Sequence, residues 1–162
     1  MSAAGETPRQ VAASLEALDG LDADLLLLFL YEGELPLRGL AGLVDWRLAG
    51  RLSAWVQEGW LGAGLGERLL TTGAGRLAVG RIVAVGAGPR KGQSPAAVEA
   101  MADEVARLLV ELKARSVALA LPGDPAPSGD TLVELVTQRL RTQWEGPITL
   151  LRAGDDPLSG EA

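Results

Sequence analysis

Few residues in this sequence could carry out chemistry. The 162-residue chain has no histidine and no cysteine. That removes the commonest general base, the commonest metal ligand and the thiolate nucleophile together. Two carboxylate pairs are visible, Glu32 with Glu34 and Asp155 with Asp156. Such pairs can share a proton or hold a hard cation. Both lie in polar loop or tail sequence with nothing to desolvate them, so solvated surface carboxylates are expected. Ser128, in "GDPAPSGD", has no base to activate it. Catalytic residues, metal ligands and cofactors are therefore all expected to be none.

Binding chemistry has one candidate loop. In "GRIVAVGAGPRKGQSP", residues 80–95, a run of β-formers ends in a glycine-rich basic loop that enters a helix at Ser94-Pro95. Gly86, Gly88, Arg90, Lys91 and Ser94 could form an anion site, combining free main-chain N–H groups with a helix N-terminus. The spacing fits neither a dinucleotide fingerprint nor a phosphate loop, and Pro95 removes a donor from the first turn. The plainer expectation is a strand–helix connection capped by Ser94. A second glycine-bearing stretch, "PLRGLAGLVD" (36–45), follows Glu32 and Glu34, whose charges would repel a diphosphate.

The tryptophans offer a third kind of chemistry, apolar contact. Of six aromatic residues, Trp46, Trp55 and Trp60 crowd one predicted helix and its exit. Trp55 shares a helical stripe with Val44, Leu48 and Leu52, whereas Trp46 falls nearly opposite. Trp46, Trp60, Leu61 and Leu65 are the candidate interface, since exposed tryptophan and leucine in one neighbourhood typify protein contacts. The alternative is that Trp60 plugs a sheet edge and Trp46 covers a neighbouring loop.

These residues must be positioned by alternating strands and helices. Strands are predicted at 9–14, 24–31, 67–72, 80–86, 116–121 and 146–152, with "LEALDGLDAD" as a turn and 32–42 as a loop. Asp45 should cap a helix over 46–58, Ser94 one led by Pro95, and Thr131 with Glu134 one over 131–143. Runs such as "LLLLFL" (25–30) have no alternation, which suits strands covered on both faces. The fold class is α/β: a three-layer α/β/α domain, mostly parallel, with antiparallel pairing in the 67–86 segment. Residues 1–8 read as a flexible N-terminus, 9–152 as the domain and 153–162 as an acidic tail.

Composition limits the partners. A net charge of −6 disfavours nucleic acid, where Lys and Arg on phosphates supply the affinity. No apolar run approaches the ~20 residues of a membrane span, and no signal-peptide layout opens the chain. A cytoplasmic protein that binds neither nucleic acid nor membrane is expected.

The order of segments resembles the N-terminal domain of cytosolic leucine aminopeptidases over roughly residues 9–152. The resemblance is carried by "DADLLLLFLYEGE", "LVDWRLAGRLSAWVQEGWLGAGLGERLLT", "GRIVAVGAGPR" and "SVALALPG". Asp45 and Gly50 match the family's aspartate-led helix, and Leu65-Gly66-Glu67 its Gly-Glu turn. Gly86-Ala87-Gly88-Pro89 stands where the family has Gly-Leu-Gly-Lys. The resemblance implies a macro-domain-like fold. It also implies that the metal ions and catalytic residues belong to a larger C-terminal domain, whose Asn-Thr-Asp-Ala-Glu-Gly-Arg signature these residues do not contain. A stand-alone, non-catalytic interaction or assembly module is the implied function. Its partner would be a second copy or another protein, including a separately encoded catalytic aminopeptidase subunit; a nucleotide- or anion-binding module is the alternative.

Overall fold

The computed structural model describes residues 6–121 and 130–152. Its elements are β1 (Arg9–Ala12), α1 (Leu15–Asp19), β2 (Leu25–Leu30), α2 (Gly39–Arg47), α3 (Arg51–Gln57), β3 (Arg68–Thr72), β4 (Arg81–Gly86), α4 (Pro95–Glu111), β5 (Val117–Leu119), α5 (Asp130–Arg141) and β6 (Ile148–Arg152). The strands form one sheet in the order β1-β6-β5-β2-β4-β3. Every neighbouring pair is parallel except β3 with β4. This is the α/β sheet expected, with the antiparallel pair in the 67–86 segment.

Two cores lie on the two faces of the sheet. Leu25, Leu27 and Phe29 of β2 point into one, packed by α4 and α5. Leu26, Leu28 and Leu30 point into the other, covered by α1, α2 and α3. All six β2 residues are buried, which explains why its sequence is apolar without alternation. On α4, Val98, Met101, Val105, Leu108 and Leu109 form the buried stripe.

Several boundaries differ from expectation, each for a local reason. "LEALDGLDAD" contains α1 rather than a turn, because Ser14 Oγ accepts the Ala17 N–H and Leu18 anchors the helix in the core. The helix expected over 46–58 is two helices, with α2 starting inside the expected loop 32–42. The chain breaks at Ala49 and Gly50, both at positive φ. Asp45 therefore lies inside α2 and does not precede a helix. Its carboxylate reaches across the break, accepting the Ser53 N–H at 3.1 Å and the Ser53 hydroxyl, so it serves the first turn of α3 from a distance. The helix expected from 131 already begins at Asp130, which places Thr131 inside its first turn. Ser128, Asp155, Asp156 and the tail 153–162 lie outside the described residues.

Candidate functional site

In open α/β sheets, ligands sit beyond the carboxyl ends of adjacent strands whose connections leave toward opposite faces. Here β2 leads to α2 on one face, while its parallel neighbour β4 leads to α4 on the other. The loops that follow, 31–38 and 87–94, hold most of the polar residues singled out in the sequence.

The glycines of the second loop are consumed by the fold. Gly86 N–H donates to Glu67 O (2.7 Å), Ala87 N–H to Leu30 O (2.8 Å) and Gly88 N–H to Ala63 O (2.8 Å). Three successive amides thus extend β4's pairing alternately toward β3 and β2, and Pro89 has none to give. A Cβ at Gly86 would lie 2.0 Å from Gly64 O, so this glycine serves the close approach of segment 62–67. Ser94 caps α4 by accepting the Ala97 N–H at 3.1 Å. The Gly86 and Gly88 N–H groups are thus taken up by the sheet edge, and the Ser94 hydroxyl by its helix cap. Lys91 is exposed. Gln93 ties the loop, its side-chain amide donating to Ala87 O and Pro89 O, while its Oε1 is buried with no donor.

Arg90 is already engaged. Its guanidinium lies 3.8 Å from the centroid of the Tyr31 ring, and Tyr31 is buried in the core. Nε and Nη2 of Arg90 donate to the two carboxylate oxygens of Glu34, the second bond at 2.9 Å. The Glu34 side chain is only 16% exposed. This corrects the reading of Glu34 as a solvated carboxylate and gives Arg90 a partner within the fold. Opposite charges in the loops after two adjacent strands were the available signal.

The apolar candidates divide. Trp46, Trp60 and Leu65 are 72%, 76% and 72% exposed, but Leu61 is 3% exposed. Leu61 is thus a core residue and not part of a surface. The Trp60 and Leu61 N–H groups both donate to Trp55 O at the end of α3, and with Leu61 turned into the core Trp60 is left outside. Trp46 forms one wall of an open groove of about 560 Å³, with cis-Pro36, Leu37 and Gly50 among its other lining residues. Leu65 overlies Gly88.

A charged cluster that sequence reasoning missed sits at the opposite, amino end of the strands. The Asp24 carboxylate accepts the Arg115 N–H and Arg81 Nη2, both at 2.9 Å, while its own N–H donates to Ser116 Oγ at 2.8 Å. The Arg115 N–H, aided by the Arg81 guanidinium, lowers the Asp24 pKa against the opposing effect of desolvation. Arg81 also donates to Leu112 O at 2.8 Å, so the cluster ties β2, β4 and the segment after α4 together. No described helix is long and apolar enough to cross a membrane.

Comparison with solved structures finds the same fold in two settings. A tomato leucine aminopeptidase mutant superposes with a TM-score of 0.64 at 18% identity, covering 95% of this chain and 34% of its own. The macrodomain of Mycobacterium tuberculosis DarG gives 0.66 at 15% identity, covering 91% and 99%. A Trypanosoma brucei macrodomain in complex with ADP-ribose gives 0.67 at 16%, covering 92% and 65%. The chain thus spans about a third of the aminopeptidase's length. No curated protein matches the sequence. The family described as "Cytosol aminopeptidase family, N-terminal domain" matches residues 27–145, most of the chain, and the protein belongs to that family through its N-terminal domain.

Proposed function

We propose that this domain is a non-catalytic docking module that associates with a second copy or with a catalytic aminopeptidase subunit through Trp46, Trp60 and Leu65. The observation that carries this reading is their exposure of 72%, 76% and 72%. Exposed aromatic side chains are enriched at protein contacts, and tryptophan is among the commonest anchors of binding energy. Sedimentation or light scattering should show wild-type association that is lost in Trp46→Ala/Trp60→Ala. A wild-type monomer that also retains no partner in a pull-down would refute the reading.

A second reading is favoured by the Tyr31–Arg90 stack at the sheet's switch point. In it, loops 32–45 and 86–94 bind a nucleotide or other anion. Ligand binding to the folded state would raise the melting temperature. No rise with millimolar ADP-ribose, nucleotide or phosphate would count against it for the wild-type chain.

A further inference from the structure

We propose that Arg90, laid on the Tyr31 ring, is a receptor for a two-oxygen anion, a carboxylate or a phosphate, and that Glu34 is the plug occupying it. The proposal rests on the second reading above and adds a gate to it. Three features support it.

The first is place. Arg90 follows β4 and Glu34 follows β2, beyond the carboxyl ends of strands whose connections part to opposite faces. The second is geometry. One face of the guanidinium is covered by a buried ring, and its Nε/Nη2 edge meets both oxygens of a carboxylate. A guanidinium makes the same two-point contact with phosphate.

The third is an asymmetry in how the two partners are held. Tyr31, fixed in the core, holds Arg90 independently of Glu34. The Glu34 carboxylate has no hydrogen-bond partner other than Arg90 among the described residues. Glu34 also rides on a short turn, its N–H donating to Tyr31 O at 3.4 Å across Gly33 at φ 73°. Rotating Glu34 outward sacrifices one ion pair and returns a carboxylate to water, while the receptor keeps its shape.

A closed gate lowers apparent affinity by the fraction of molecules in which it is open. Thermal-shift titrations of wild type and Glu34→Gln with inorganic phosphate, acetate and ADP would test this. The variant should bind at least one probe about tenfold or more tightly than wild type, and Glu34→Gln/Arg90→Gln should lose the gain. A gain with acetate alone identifies a carboxylate ligand; a gain with phosphate or ADP identifies a phosphate, and either supports the proposal. Equal binding by wild type and variant would overturn the gate yet keep the ligand reading. No binding by either would overturn both, and a gain that survives in the double variant would overturn Arg90 as receptor. Should Glu34→Gln fail to fold, Glu34→Asp, which keeps the charge but shortens the reach, should show a smaller gain in the same titrations; no gain there would overturn the gate.

Discussion

Replacing Gly86 with alanine should destabilise the domain by about 3–5 kcal/mol. The new Cβ would stand 2.0 Å from Gly64 O and 2.9 Å from the carbonyl carbons of Ala63 and Gly64. All three are main-chain atoms, so no side chain can swing aside. Restoring an ordinary contact of ~3.5 Å means moving the segment back by more than about 1 Å. That retreat stretches the Gly86 N–H···O Glu67 and Gly88 N–H···O Ala63 bonds, now 2.7 and 2.8 Å. Overpacking costs ~1–3 kcal/mol, and each weakened bond adds ~1 kcal/mol. In a domain of this size, such a loss lowers the melting temperature by roughly 10 °C. Gly80 is the control: a Cβ there meets nothing within 4 Å, so Gly80→Ala should be neutral or gain up to ~1 kcal/mol. Thermal and urea unfolding by circular dichroism would read both. If Gly86→Ala melts within about 2 °C of wild type, the glycine is not there for close approach.

Three further outcomes follow from the same contacts. Trp60→Ala should change monomer stability by no more than ~0.5 kcal/mol, since the side chain is 76% exposed. Its neighbour Leu61→Ala should cost ~2–4 kcal/mol, and urea midpoints would separate the two. Because the folded Asp24 pKa lies below its ordinary 3.8, the stability it contributes is present in full above that value. It is lost as pH falls through the depressed folded pKa. The midpoint gap between wild type and Asp24→Asn should therefore be steady near neutral pH and narrow in acid; a gap unchanged down to pH ~2 would be the wrong result. Asp45→Ala should cost ~1–2 kcal/mol by uncapping α3, and Ser53→Ala should cost less in that background than alone, as a double-mutant cycle would show.

The sheet was legible in the sequence because its strands are buried on both faces, and continuous apolar runs such as 25–30 announce that. Helix α4 was legible from its proline start and its apolar stripe. The break between α2 and α3 was not, because the stripe through Val44, Leu48 and Leu52 runs straight across it. The chain is turned there by Ala49 at φ 56°, an unusual conformation for that residue, together with Gly50 at φ 80°. The exposure of Trp46 could be read from the helical wheel. The burial of Leu61 could not, since it depends on how the connection closes over the end of α3. Pairing of Glu34 with Arg90 joins residues 56 positions apart, and composition marks both only as polar loop residues.

The uniformity of β2 has a consequence for how the strand finds its place. Sliding it by one residue would put leucine where leucine was at most positions, so among the six strand residues no polar side chain changes core. Side-chain character therefore barely distinguishes one alignment from the next. The distinction is supplied just outside the strand, where Asp24 meets Arg81, the Arg115 amide and Ser116 together. A slip of one residue, ~3.3 Å along the strand, would part all three contacts at once. Asp24 thus works as a datum mark for an otherwise unmarked ruler, and its loss should show as several coexisting alignments of β2 in NMR spectra as well as a lower melting point.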